Sequence, residues 1–257
     1  MKLPPKKKYL GQTFLHDQNI IDQIIKFVAP KKSDNLIEIG PGAGALTTRL
    51  LPLVDKLDVI ELDKDIIPIL EKNCNRSPKL HIHVEDVLKT DFTLFKAPLR
   101  LVGNLPYNIS TPLLFHLIKN IGAVNDMHFM LQKEVAKRIT AKPGSKTYGR
   151  LSVMLQYYCE TKILLKIGSG AFSPPPKVDS AFIRLVPHKK ITLKASDENR
   201  FAHIVRDAFS QRRKTIANSL KKQISREQLE TIGIDPTSRP EQLSVQDFVL
   251  ISNKIEV

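Results

Sequence analysis

Cysteine is scarce, acids are outnumbered, and no apolar run reaches the length of a membrane span. Each shortage removes a class of protein. The two cysteines, Cys74 and Cys159, stand far apart with no histidine at metal-ligand spacing, so neither a disulfide framework nor a zinc site is signalled. Both read as ordinary core residues, and no metal is expected. The N-terminal stretch MKLPPKKKYLGQTF is basic but lacks the apolar segment of a secretion signal. Without a span of about 20 apolar residues elsewhere, the chain reads as a cytoplasmic, non-membrane protein. There is no internal repeat, and no low-complexity tract beyond Lys6 to Lys8. Forty Lys and Arg against 26 Asp and Glu leave a net charge of +14, which points to a polyanionic partner unless it is spread over a merely soluble surface.

At 257 residues the chain is long enough for one large domain and one small one, each with an apolar core. From Leu36 to about Gln132 short β-type runs alternate with helical patterns. The strand candidates are Leu36 to Ile39, Leu57 to Glu61, Leu80 to Val84, Leu99 to Gly103 and His128 to Gln132. A helix of about ten residues is expected from near Ala43, another after Asp63, and a third from Ser110 to Lys119. That alternation predicts an α/β fold, a parallel sheet with helices on both faces. Lys162 to Ile167 and Ala181 to Val186 add a strand pair. Past the polar stretch PHKKITLKASDEN the pattern turns helical, with Phe201, Ile204, Val205, Ala208 and Phe209, then Ile216, Ala217 and Leu220, at helical spacing. A domain over 1–187 and a small helical domain over 188–257 are therefore expected.

The segment LIEIGPGAGALT is a strand running into a glycine turn and a helix. Gly40, Gly42 and Gly44 permit a tight turn and a close ligand approach. Glu61, twenty-one residues beyond Gly40, ends the next strand, where a carboxylate can accept both hydroxyls of a ribose. Asp86 ends the third strand, placed for an adenine amino group or, equally, as a helix cap. These strand ends suit an adenosine ligand. Gly40, Gly42 and Ala45 also satisfy the dinucleotide pattern G-x-G-x-x-A, so a nicotinamide enzyme is a rival, as is a turn with no ligand.

The fourth strand ends in GNLPYN and separates these readings. The exocyclic amine of adenine is a poor nucleophile because its lone pair is delocalised into the ring. The side-chain oxygen of Asn104 and the carbonyl of Leu105 could each accept one amine hydrogen and aim the lone pair at an electrophile. Pro106 fixes the turn. Tyr107 can stack on an extruded base, within reach of the methyl group of S-adenosylmethionine. A neutral amide is enough, since the methylated amine is acidic enough to shed its proton unaided. The competing reading is an Asx turn leading into a helix.

YLGQTFLHD, EIGPGAGALT, VIELD, GNLPYNIS, HFMLQKEVAKRI, YGRLSV, FSPPPKVDSA and RRKTIANSL occur in an order that resembles the small-subunit ribosomal RNA adenine N6,N6-dimethyltransferases, the kasugamycin-sensitivity family, over nearly the whole chain. The resemblance implies a Rossmann-like S-adenosylmethionine-dependent methyltransferase domain with a small helical C-terminal domain. It implies dimethylation of two adjacent adenosines in the terminal hairpin loop of small-subunit rRNA by a monomer that binds the small ribosomal subunit. The cofactor contacts it carries over fall on Thr13, Leu15, Gly40, Glu61, Asp86 and Asn104. At Thr13 the family usually has Asn; threonine offers a hydroxyl but no amide, which leaves more of the binding to Gln12 or to backbone groups. Glu38 and Tyr9 are weaker candidates that support the same pocket.

FSPPPKVDS is too proline-rich for a helix or an interior strand. The resemblance implies that Phe172 clamps the base opposite Tyr107; the other reading is that Phe172 packs under its loop. Between Arg200 and Arg226 eight Lys or Arg accompany one acid, Asp207, a local charge of +7. Arg206, Arg213 and Lys221 are expected near one helical face, beside Arg212, Lys214 and Lys222, as a phosphate-binding surface rather than a solvated charged face. Lys6 to Lys8 offer a second contact. Two other functions fit the core motifs: a large-subunit rRNA adenine methyltransferase of the macrolide-resistance type, and an assembly factor that binds RNA without catalysis.

Overall fold

In a computed structural model, residues 13–211 and 213–255 are described. Lys6 to Lys8, Tyr9, Gln12 and Arg212, invoked above, lie outside them. The strands are β1 (Phe14–Leu15), β2 (Asn35–Ile39), β3 (Leu57–Glu61), β4 (Leu80–Val84), β5 (Leu99–Asn104), β6 (Val124–Gln132), β7 (Cys159–Ile167), β8 (Phe172–Ser173) and β9 (Ser180–Pro187). The helices are α1 (Gln18–Val28), α2 (Thr47–Leu50), α3 (Ile67–Asn73), α4 (Ser110–Lys119), α5 (Lys133–Ile139), α6 (Arg150–Tyr158), α7 (Glu198–Ser210), α8 (Ile216–Ser219), α9 (Arg226–Thr231) and α10 (Val245–Lys254). None is long and apolar enough to cross a membrane among the described residues.

Seven strands form one sheet in the order β4-β3-β2-β5-β6-β9-β7. β4, β3, β2, β5 and β6 run parallel, and β9 joins β6 antiparallel. Every residue of β3 is buried, as are four of the five in β2. Strands covered on both faces by helices need such near-continuous apolar runs. β4 lies at the edge and is half-exposed, which suits its two histidines.

Two expectations on the helices need correction. The helix foreseen from Ala43 is only the four residues of α2 followed by a 3-10 turn, Leu51–Leu53. Gly40, Gly42 and Gly44 all have positive φ, so the chain is still turning until Leu46, and Pro52 supplies no N–H to prolong the helix. α1 was not foreseen. Asp17 caps it, accepting from the N–H groups of Asn19 at 2.9 Å and Ile20 at 3.2 Å, and Ile21, Ile24 and Val28 give it a buried face.

The chain divides into two compact units. One holds the described residues up to Ala136 together with Lys162–Pro187; the other holds Lys137–Thr161 and the described residues from His188 onward. The expected cut after residue 187 is thus one of the crossings, but Lys137–Thr161 joins the helical unit. Tyr157 explains why. Its ring lies 4.5 Å from that of Phe201 on α7, and its hydroxyl accepts from the Ala195 N–H at 3.0 Å. No strand of the sheet could offer α6 those partners. Cys74 and Cys159 are both buried and free, as expected.

Arg100 on β5 ties the first unit together. Its guanidinium donates to Asp34 at 2.6 Å, to Asp126 at 2.9 Å and to the Val28 carbonyl at 2.6 Å, joining the end of α1 to the sheet. The side chain is only 11% exposed. Arg100→Met leaves two poorly solvated carboxylates unpaired, and a loss of about 3 kcal/mol is expected. Urea titration checks it: the midpoint should fall, and adding Asp34→Asn and Asp126→Asn should recover part of the loss.

Candidate active site

The carboxyl ends of four parallel strands meet at one cavity of about 310 Å³. Gly40 follows β2, Glu61 ends β3, Asp86 follows β4 and Asn104 ends β5; Leu15 on β1 and Thr13 just before it also line the cavity. All six residues expected to contact a cofactor therefore line one space.

The glycine turn and Glu61 are built together. The Gly40 N–H donates to the Ile60 carbonyl at 2.9 Å, and that of Gly42 donates to Glu61 Oε2 at 3.1 Å. Glu61 Oε1 accepts from the Asp63 N–H at 2.9 Å, so both oxygens are aimed before any ligand arrives. Burial pushes the Glu61 pKa up, and these backbone hydrogen bonds oppose it. Gly42 has a second duty besides its φ of +55°: a Cβ there would sit 3.2 Å from the Phe14 ring. Glu38 also lines the cavity, buried and accepting from Thr47 Oγ1 at 2.7 Å. Its burial raises its pKa to about 8, which favours the neutral acid. Asp86 caps a turn and not a helix, its Oδ1 accepting from the Leu88 N–H at 3.0 Å, and it lines the cavity.

Asn104 has the most telling geometry. Its Nδ2 donates to the Thr13 carbonyl at 2.9 Å, and because a carbonyl can only accept, the orientation of the amide is decided. Oδ1 is left buried at the cavity with no partner among the described residues. Thr13 therefore contributes its backbone carbonyl to this arrangement. Gly103 allows this approach, since a Cβ there would collide with the Ile39 carbonyl of β2. The Leu105 N–H donates to the Met130 carbonyl at 3.2 Å. Leu105 and Pro106 line the cavity, whereas the Tyr107 ring stands outside its lining, half-buried. Sequence reasoning missed the apolar lining of Phe14, Ile60, Leu62, Val87 and Ile109. Only the places of Ile60 and Leu62 beside Glu61 could have signalled it.

Two expected placements are not met. Phe172 is 2% exposed and lies in the core, opposite Leu15 in the β1–β8 pairing. It has no free face for a base, so in this conformation it packs under its loop. Arg206, Arg213 and Lys221 are exposed but do not share one helix. α7 ends at Ser210, before Arg213, and Lys221 follows α8. Arg206 is also paired with Asp207 at 3.0 Å.

A buried amide oxygen with no donor among the described residues thus lies beside a nucleoside-sized cavity. The sheet beneath it is that of the Rossmann-like methyltransferases. A family model described as ribosomal RNA adenine dimethylase matches residues 5–256, and the chain belongs to that family. Curated relatives from Hydrogenovibrio crunogenus (53% identical, covering 96% of this chain and 95% of the relative) and Coxiella burnetii (50%, covering 98% and 99%) carry the name ribosomal RNA small subunit methyltransferase A. Among solved structures, a dimethyladenosine transferase from Plasmodium falciparum superposes with TM-score 0.82 at 29% identity, covering 93% of this chain and 95% of that one. The 23S rRNA methyltransferase ErmE superposes with TM-score 0.77 at 23% identity, covering 94% and 99%, a likeness of fold. The nicotinamide reading of the glycine turn falls with this membership.

The burial of Phe172 separates packing from clamping. Phe172→Ala should lower stability by about 3 kcal/mol, read as an earlier urea midpoint. Lost activity at an unchanged midpoint would restore the clamp.

Proposed function

We propose that this chain transfers methyl groups from S-adenosylmethionine to the N6 amines of two adjacent adenosines in the 3′-terminal hairpin loop of small-subunit rRNA, giving N6,N6-dimethyladenosine, in late small-subunit biogenesis. The observation that carries the reading is the unpartnered Oδ1 of Asn104. A vestigial, RNA-binding assembly factor has no use for a buried acceptor held open at a cost in unsatisfied hydrogen bonding.

The residues present fit the cofactor. Gly40 and Gly42 form the positive-φ turn at the cavity, Glu61 offers two aimed oxygens for a ribose, and Asp86 lines the same cavity as an acceptor for an adenine amine. When bound, S-adenosylmethionine supplies an electrophilic methyl on a positively charged sulfonium. Everything else is done by the chain. Asn104 Oδ1 and the Leu105 carbonyl accept the two hydrogens of the target amine, withdrawing its lone pair from the ring and directing it. Pro106 holds that turn, and Tyr107 supports the extruded base by stacking. After the first methyl the amine keeps one hydrogen, so one acceptor must serve the second transfer alone. The proton released each time goes to water, because a methylated aminium is acidic enough to lose it without a strong base.

Asn104→Ala should leave cofactor affinity within about threefold by calorimetry while slowing transfer to unmethylated small subunits by about a hundredfold or more. Near-normal turnover would remove Asn104 from the chemistry.

RNA is held, in this reading, by the helical unit, with Arg206, Arg213 and Lys221 on phosphates. Their spread over α7, the turn after it and the segment past α8 makes a discontinuous surface that can follow a bent backbone. Reversing all three to Glu should weaken subunit binding and reduce its salt dependence by about 2 in logarithmic slope, with cofactor affinity unchanged. Equal affinity and slope for wild type and variant would make these charges a solvated face.

A further inference from the structure

The segment between Phe172 and Ser180 is exposed from Ser173 to Asp179 except at half-buried Pro176, and its two ends are buried. Phe172 is anchored in the core. Ser180 is fully buried as well, at the start of β9 in register with Gln132 on β6. Its hydroxyl meets the Tyr107 hydroxyl at 2.6 Å. The next residue back, Asp179, is fastened twice: its carbonyl accepts from the Lys133 N–H at 2.9 Å, and its carboxylate meets Lys133 Nζ at 2.9 Å.

Tyr107 is held from the other side too. Ser110 Oγ donates to its carbonyl at 3.1 Å, and Ile109 N–H donates to the Pro106 carbonyl at 3.2 Å. A tyrosine so fixed at its backbone still has two side-chain torsions, and a bond at the hydroxyl restrains them further. Desolvation raises the pKa of the phenol, so it remains a neutral hydroxyl able to share a proton with serine.

We propose that Ser180 is a positioning residue for base methylation: its hydroxyl, held by the sheet, tethers the Tyr107 hydroxyl and sets the plane of the ring on which the target adenine stacks. This rests on the stacking assigned to Tyr107 above. The tether also couples the GNLPYN turn to the proline-rich segment through one hydrogen bond. It explains why a tyrosine serves here: a phenylalanine would stack as well but would have no grip on β9.

The consequence is a particular pattern of loss. Without the tether the ring still stacks but samples more orientations, and the second transfer, made with one amine hydrogen left for orientation, suffers more than the first. Ser180→Ala is expected to lower kcat by about fivefold to tenfold, to leave cofactor affinity unchanged by calorimetry, and to raise the ratio of monomethyl to dimethyl adenosine. Tyr107→Phe should give the same pattern, and the double variant should be no worse than either single one. A urea titration accompanies each variant, because a purely structural serine would shift the midpoint and leave the product ratio alone.

Tyr107→Ala separates this proposal from the reading beneath it. If Tyr107→Ala is slow while Ser180→Ala and Tyr107→Phe turn over normally with a normal product ratio, the tether is overturned and stacking stands. If the effects of Ser180→Ala and Tyr107→Phe multiply in the double variant, they act separately and the tether is likewise overturned. If Tyr107→Ala is itself near normal, stacking falls and the positioning role of Ser180 falls with it.

Discussion

The hydrogen bond from Asn104 Nδ2 to the Thr13 carbonyl is the contact that orients the amide at the cavity, and the proposed chemistry depends on it. An amide has a donating end and an accepting end, and securing one exposes the other. By occupying Nδ2, the Thr13 carbonyl leaves Oδ1 as a buried acceptor with no donor among the described residues. In a folded interior such an atom is costly, and it persists where a ligand supplies the missing hydrogen. Much of the first unit serves to hold the two partners in place. Gly103 lets the strand carrying Asn104 lie close against β2, the Leu105 N–H is held by Met130, and the pairing of β1 with β8 sets where Thr13 presents its carbonyl.

The cavity is equally prepared around Glu61. Two carboxylic acids, Glu38 and Glu61, lie in it with raised pKa values, yet they are treated differently. Glu61 receives two backbone N–H groups, one of them from the glycine turn itself, so a ligand finds its oxygens already oriented. Glu38 has a single hydroxyl partner and deep burial, which favours its neutral form and makes it a support of the turn. Environment alone divides the labour between two identical side chains.

The net charge of +14 finds its densest expression in the helical unit, where the apolar residues Phe201, Ile204, Val205 and Ala208 of α7 are buried and Arg206 faces out. Phe209 meets Phe248 at 5.6 Å and Tyr148 at 6.2 Å, so aromatic packing within that unit carries its stability. Packing in that unit therefore does not draw on the exposed Arg213 and Lys221.

The sequence by itself determined β2 to β5, most of β6, β7 and β9, and the cavity residues Gly40, Glu61, Asp86 and Asn104, because alternation, glycine turns and strand-end acids are local patterns that survive being read one residue after another; Thr13 and Leu15 came through the family resemblance, and the short β1 and β8 were not legible. The length of α2 was not legible, since three positive-φ glycines and Pro52 compete with helix propensity in ways that only backbone geometry resolves. The burial of Phe172 depended on its pairing with Leu15, far away in the chain. The membership of Lys137–Thr161 in the helical unit depended on where Tyr157 found Phe201. Above all, Asn104 was recognisable as an acceptor from its setting in GNLPYN, but which of its two ends would be free was decided only when folding brought the Thr13 carbonyl within hydrogen-bonding distance.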